Sequence, residues 1–257
     1  MDENSDQTIM ATYQKLMESG LREVPPAKRP VLLDLRNQGD ALAIFFTGKH
    51  DPAHVHGFNY LRMTKSWPIN KIYVRDVYNL WYHANFEGIG PGIGALQSFL
   101  KFVVEMCQPA RCVAVGGSMG GYAALLFGAL MHLDGVLAFG PQTCLSPRWR
   151  LRHGDTFLWA LKQKIYRSPA RMPAFYDLRD VLLERGGGVQ AQIHLGYDRL
   201  DQAHARHVED IAGIQLVYHD TRRHDLSRVL NKKGGLESVV NEFVNISDSS
   251  VDECIGL

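Results

Sequence analysis

The stretch Arg111–Phe127, which reads RCVAVGGSMGGYAALLF, places one serine between two pairs of glycines. Its first five residues are mostly apolar, as in a short buried strand, and its last six open a segment that is apolar on nearly all sides, as in a buried helix. Between them, Gly116-Gly117-Ser118-Met119-Gly120 fits the pattern G-x-S-x-G, which presents a hydroxyl on a tight strand–turn–helix connection. The stretch therefore predicts a nucleophile at Ser118. The alternative is a glycine-rich turn that only lets a helix pack closely on a sheet.

Elsewhere the sequence alternates between predicted strands and predicted helices, which indicates a mostly parallel sheet with helices on both faces. Two early strands, 31–36 and 41–47, are separated by Asn37-Gln38-Gly39-Asp40, which is typical of a hairpin turn. A helix is predicted over 7–19. Residues 141–188 break the alternation and are rich in Arg, Trp, Pro and Tyr. We expect this segment to be a helical insertion over one edge of the sheet.

The overall composition is that of an ordinary α/β protein. A length of 257 residues suits one domain, which we expect to span the whole chain. The net charge of +1 gives no support for a nucleic-acid partner. Four cysteines without C-x-x-C spacing indicate reduced thiols, and neither a secretory signal nor a long apolar segment is evident. We therefore expect a cytoplasmic protein that does not bind membranes.

The predicted nucleophile requires a base, because a serine hydroxyl is a poor nucleophile at neutral pH. Loops that follow different parallel strands converge at one edge of a sheet. The last predicted strand ends near His219, and His224 lies in the loop that follows it. We expect His224 to be the base. His219 is the less favoured alternative, because a side chain at a strand end can point to either face.

The base in turn requires an acid that orients its ring. The preceding strand, 189–195, leads into two candidates, Asp198 and Asp201. Asp198 lies a few residues beyond the strand end, whereas Asp201 stands where a helix N-cap is expected. We assign Asp198 as the orienting acid and Asp201 as the cap, with the opposite assignment left open.

The expected reaction also requires N–H donors for a developing oxyanion. The backbone N–H of Met119 directly follows the nucleophile and is one candidate. The second should come from the loop after the strand 41–47, where Gly48 lets the chain turn, and we assign the backbone N–H of Lys49.

The Ser-Met-Gly-Gly sequence after an apolar strand, and the order Ser, Asp, His along the chain, resemble the α/β-hydrolase superfamily of esterases, lipases and thioesterases. The resemblance spans about 31–245. It implies an eight-stranded, mostly parallel sheet that begins with an antiparallel hairpin, and a lid at 141–188. One departure is Thr47-Gly48, where the family often has His-Gly.

Two further groups of residues have side chains of the types found in binding sites. His50-Asp51-Pro52-Ala53-His54-Val55-His56 matches no zinc spacing, and we expect neither a metal nor a cofactor. From Arg148 to Arg171, seven Lys and Arg residues face a single acidic residue, Asp155, among interleaved aromatic residues. This basic stretch is either a solvated helix face or an anion-binding rim centred on Arg148, Arg150 and Arg152.

Together these patterns predict a serine hydrolase that cleaves a carboxylic ester through an acyl-enzyme. Thioester hydrolysis or acyl transfer from an acyl carrier or CoA-like thioester is the alternative reaction, because it uses the same three side chains. A non-catalytic binding module with the same fold is the alternative of another class.

Overall fold

The computed structural model describes residues 23–35, 40–49, 57–156 and 159–245. Seven strands form one sheet and two short strands form a separate pair. In chain order they are β1 (Val31–Asp34), β2 (Ala41–Phe46), β3 (Asn70–Val74), β4 (Asn85–Phe86), β5 (Gly90–Pro91), β6 (Arg111–Gly117), β7 (Gly135–Phe139), β8 (Ala191–Leu195) and β9 (Ile214–Tyr218). The predicted helix over 7–19 lies outside the described residues.

The main sheet has the order β1-β3-β2-β6-β7-β8-β9, and every pairing except β1 with β3 is parallel. β2 and β6, the strand that leads into Ser118, are neighbours at the centre. The carboxyl ends of the parallel strands therefore lie at one edge of the sheet, and the loops predicted to carry the functional residues follow them there.

The predicted hairpin between the first two strands is wrong. β1 pairs antiparallel with β3, which lies between β1 and β2, so Val31 faces Val74 rather than a residue of β2. The turn residues themselves, 37–39, lie outside the described residues. A good local turn signal does not decide pairing here, because β2 is apolar throughout and pairs in parallel with β3 on one edge and with β6 on the other.

Helices cover both faces of the sheet. They are α1 (Leu61–Thr64), α2 (Gly92–Cys107), α3 (Met119–Met131), α4 (Pro147–His153), α5 (Trp159–Arg167), α6 (Leu178–Arg185), α7 (Arg199–Arg206), α8 (Leu226–Lys232) and α9 (Leu236–Asn245). Leu42, Ile44 and Phe46 of β2 pack in the core with α2, α3 and α6, whereas Ala43 and Phe45 pack in a second core with α8 and α9. The mostly parallel α/β sheet with helices on both faces is thus as predicted, with seven strands in the described part of the sheet. No helix in the described ranges is long and apolar enough to cross a membrane.

The segment 141–188 is helical, and its helices differ in what they contact. α6 packs against α3 and belongs to the layer that covers the sheet. In α4 and α5 a buried cluster replaces part of the predicted basic face: Arg150 and Lys162 both bind one Asp155 oxygen, at 2.8 and 2.9 Å. Arg150 is therefore not part of an exposed anion-binding rim, because its guanidinium is buried and already paired.

Candidate active site

Ser118 stands at the tight turn between β6 and α3. Its backbone has φ 54° and ψ −117°, a strained conformation for a residue with a side chain. The turn is held on both sides, because the Ser118 N–H donates to the carbonyl of Phe139 at 2.8 Å and the Ser118 carbonyl accepts from Tyr122 N–H at 3.0 Å. The strained turn thus presents the Ser118 hydroxyl at the carboxyl end of the central strand β6.

Two glycines make this turn possible. A Cβ at Gly116 would lie 2.1 Å from the carbonyl oxygen of Gly120, and a Cβ at Gly120 would lie 2.2 Å from that of Phe46. Both distances are far shorter than a van der Waals contact, and both partners are backbone atoms that cannot rotate away. The glycines of the motif are therefore required by the close approach of α3 to β2 and β6.

Three side chains from separate loops meet at this edge. The Ser118 Oγ lies 2.9 Å from Nε2 of His224, and the His224 Nδ1 lies 2.6 Å from Oδ1 of Asp201. With Asp201 ionised, His224 donates from Nδ1 to the carboxylate and its Nε2 lone pair accepts the serine hydroxyl. The other histidine that was considered, His219, instead contacts His194 at 3.0 Å.

The assignment of the two aspartates is reversed in the structure. Asp198 is the N-cap of α7, and its Oδ1 accepts the backbone N–H groups of Leu200 and Asp201 at 2.9 and 3.1 Å. α7 therefore begins at Arg199, earlier than expected. Asp201 then falls in the first turn with its side chain directed back at His224, and only 2% of that side chain is exposed.

The pKa values of Asp201 and His224 reflect their burial and the hydrogen bond between them. Burial raises the pKa of Asp201, and the hydrogen bond from His224 opposes that shift. Burial by itself would lower the pKa of His224, but the hydrogen bond to Asp201 and the nearby carboxylates outweigh it, so that this pKa lies above its ordinary value of 6.5. The imidazolium form is thus stabilised next to the hydroxyl.

A fourth side chain, Gln142, was not found by sequence reasoning. Its Nε2 lies 3.3 Å from Ser118 Oγ and 3.4 Å from His224 Nε2. The indole N–H of Trp81 donates to Gln142 Oε1 at 3.1 Å, and both side chains are buried. Because an indole N–H can only donate, the amide oxygen must face Trp81 and the amide N–H groups must face the serine. A glutamine shortly after a strand is too common a signal to single out from sequence.

The loop after β2 borders the same turn. A Cβ at Gly48 would lie 2.8 Å from the carbonyl oxygen of Gly117, the residue before Ser118. Met119 is the first residue of α3, where backbone N–H groups have no acceptor within the helix. Lys49 directly follows Gly48 and Met119 directly follows Ser118, so both backbones lie in segments that border the serine turn. Their roles as oxyanion donors remain predictions.

One group in the described ranges has metal-binding residue types. Cys144, Asp177 and His207 bring one ligand atom each within 4.8 Å of one another. His207 Nε2 contacts an Asp177 oxygen at 2.7 Å, and the Cys144 thiol contacts the other at 3.5 Å. Burial raises the pKa of the Cys144 thiol. These contacts join α6 to α7. The histidine-rich run 50–56 lies outside the described residues.

No protein-family model and no curated protein matches this sequence. Solved structures do match. The capsule O-acetyltransferase of Neisseria meningitidis serogroup A superposes with a TM-score of 0.60 at 15% identity, over 82% of this chain and 90% of that one. Est1E from Butyrivibrio proteoclasticus gives 0.54 at 13% identity, over 83% and 93%. A hydrolase from Oleispira antarctica gives 0.51 at 12% identity, over 86% and 96%. The chain therefore has the α/β-hydrolase fold, as its sequence resemblance implied.

Proposed function

We propose that this protein is a serine hydrolase that cleaves a carboxylic ester through an acyl-enzyme. The single observation that carries the proposal is the continuous contact from Ser118 Oγ through the His224 ring to the buried carboxylate of Asp201, at 2.9 and 2.6 Å. The strained turn at Ser118 supports it, because such strain persists where it serves a reactive side chain. Similar folds among esterases and an acetyltransferase support acyl chemistry in general.

In the first half-reaction, Ser118 Oγ attacks the ester carbonyl carbon and its proton passes to His224 Nε2. The backbone N–H groups of Met119 and Lys49 stabilise the resulting oxyanion, a contribution of about 3 kcal/mol per donor. The tetrahedral intermediate collapses with cleavage of the carbon–oxygen bond, and the alcohol leaves with the proton from His224. Asp201 holds the ring in the tautomer that accepts the serine proton.

In the second half-reaction, water attacks the acyl-serine carbonyl while His224 Nε2 takes its proton. The carboxylic acid is released and Ser118 recovers its hydrogen from His224. Gln142 acts as a positioning residue in both halves, because its amide N–H is directed at Oγ and Trp81 prevents the amide from turning over. No step requires a metal or an organic cofactor.

Acyl transfer, or hydrolysis of a thioester, is the second candidate. Two observations favour it: the similar capsule O-acetyltransferase has been solved in complex with CoA, and a basic pocket lies beside the helix that carries Asp201. An acceptor alcohol would then replace water in the second half-reaction, with the same proton movements.

Labelling with a fluorophosphonate probe tests the proposal, because the probe traps an activated serine. The wild type should become labelled at Ser118 and should turn over a p-nitrophenyl acyl ester, and Ser118→Ala should do neither. Ser227→Ala is a matched control, since Ser227 is a second partly buried serine near the turn. A folded wild type that takes no label would favour the non-catalytic binding module.

A reducing compartment such as the cytoplasm suits the described cysteines. Cys107, Cys112 and Cys144 are free thiols. We propose the cytoplasm as the location because disulfides form and persist in oxidising compartments, whereas the cytoplasm keeps thiols reduced.

A further inference from the structure

A pocket lies between α4 and α7, apart from the side chains of the candidate active site. Its volume is about 650 Å³, and its walls include Arg148, Trp149, Arg152, His153, Arg206 and His207. This volume falls within the range of about 300–1,000 Å³ that is usual for small-molecule sites. None of the residues that line it is acidic.

The three arginine side chains of this pocket are not neutralised by their surroundings. No salt bridge to Arg148, Arg152 or Arg206 exists within the described part of the chain, and Arg206 donates only to the neutral amide oxygen of Gln202, at 3.1 Å. This contrasts with Arg150 on the same helix, whose guanidinium is buried against Asp155. Three guanidinium groups therefore face one cavity and remain available to an anion.

One wall of the pocket is aromatic and held in place. The Trp149 ring stacks with the rings of His153, at 4.0 Å between centroids, and His204, at 4.5 Å. His204 is buried, and its Nδ1 accepts the backbone N–H of Thr143 at 3.2 Å. The two histidine rings thus hold the indole in place beside the cationic groups.

We propose that this pocket binds an organic polyphosphate of the nucleotide type. Its phosphate groups pair with Arg148, Arg152 and Arg206, because planar guanidinium groups match phosphate oxygens in two-point hydrogen bonds. Its organic part lies against the aromatic wall that His153 and the edge of Trp149 form. Inorganic phosphate would fill only a small part of this volume and would leave the aromatic wall exposed.

The pocket is connected to the candidate active site through α7. This helix carries Asp201 on one side and Arg206 on the other, and His204 links it to Thr143, next to Gln142. Such a ligand has two sources: the phosphorylated nucleotide part of a CoA-type thioester or a free nucleotide. The first source rests on the acyl-transfer form of the proposed function, whereas binding itself does not.

Isothermal titration calorimetry with ADP tests the proposal on the full chain. ADP should bind the wild type at low salt, and raised salt should weaken binding, because the attraction is ionic. Adenosine and inorganic phosphate should each bind at least about tenfold more weakly than ADP, since each lacks one half of the contacts. Wild type that binds no ADP would overturn the proposal, and so would adenosine that binds as tightly as ADP.

A charge-reversal pair locates the site. Arg148→Glu with Arg152→Glu should weaken ADP binding at least about tenfold, whereas Lys232→Glu with Lys233→Glu, an equal change of charge at exposed residues on and beside α8, should leave it within about twofold. Equal weakening in both pairs would mean a general charge effect and would refute the assigned pocket. The described side chains at all four positions are exposed, so neither pair removes a core contact.

Competition identifies the source of the ligand. CoA that displaces ADP assigns the pocket to a thioester donor, and CoA that leaves ADP bound assigns it to a free nucleotide. Ser118→Ala should bind ADP like the wild type. Hence ADP binding without fluorophosphonate labelling would support this pocket and contradict the proposed function. Labelling without ADP binding would support the proposed function and contradict this pocket.

Discussion

The substitution Asp201→Asn, which replaces one carboxylate oxygen by an NH2 group, should nearly abolish ester hydrolysis. In the native site, Asp201 Oδ1 accepts from His224 Nδ1 at 2.6 Å, and Oδ2 is buried with no hydrogen-bond partner among the described residues. If the asparagine oxygen takes the Oδ1 position, its NH2 group is left buried without an acceptor. If the amide turns over, its NH2 group donates to Nδ1 and moves the ring proton to Nε2, where it blocks acceptance of the serine hydrogen.

The expected loss follows from the burial of the pair. Because only 2% of the Asp201 side chain is exposed, water does not replace the lost charge. A buried triad acid changed to its amide typically lowers kcat by about 10⁴, which corresponds to about 5 kcal/mol of transition-state stabilisation. We expect a loss between about 10³ and 10⁴ here, because the His224 side chain is 30% exposed to solvent.

Asp198→Asn is the matched control, since it removes the same charge three residues away. Asparagine caps a helix as well as aspartate does, so the bonds to Leu200 and Asp201 N–H survive. Its kcat should stay within about threefold of wild type, as for most substitutions that keep their local contacts. The measurement is kcat for a p-nitrophenyl ester and the labelling rate of Ser118, with circular dichroism to confirm folding. A larger loss in Asp198→Asn than in Asp201→Asn would refute the reasoning.

Three further predictions follow from the same site. Gln142→Ala should lower kcat by about 10- to 100-fold by removing a donor to the serine oxygen, and an unchanged kcat would show that the amide has no part in positioning. Gly120→Ala should destabilise the fold by about 3 kcal/mol or more in denaturant unfolding, because its Cβ would collide with the Phe46 carbonyl, whereas Gly94→Ala, with nothing within 4 Å, should be neutral or stabilising. The labelling rate should fall as pH is lowered through the raised pKa of His224, since the protonated ring cannot accept a proton, and a midpoint below 6.5 would contradict the pairing with Asp201.

Local sequence was sufficient for the parts of this protein that depend on neighbouring residues. The glycine-flanked Ser118, the apolar strand before it and the helix after it form one continuous segment, and within that segment a Cβ at Gly116 would collide with the Gly120 carbonyl. The order of strands and helices likewise follows from alternating apolar patterns, and His224 could be selected because it follows the last strand.

Tertiary structure decided the features that depend on helix phase and on contacts between distant segments. Asp198 and Asp201 are less than one helical turn apart, so a shift of three residues in the start of α7 exchanges the cap and the partner of His224. β1 pairs with β3, a strand that is not its neighbour in the sequence. Gln142 lies beside Ser118 with its amide oxygen held by Trp81, 61 positions away. Propensity and spacing describe local conformation, whereas these outcomes are set by the free energy of long-range packing.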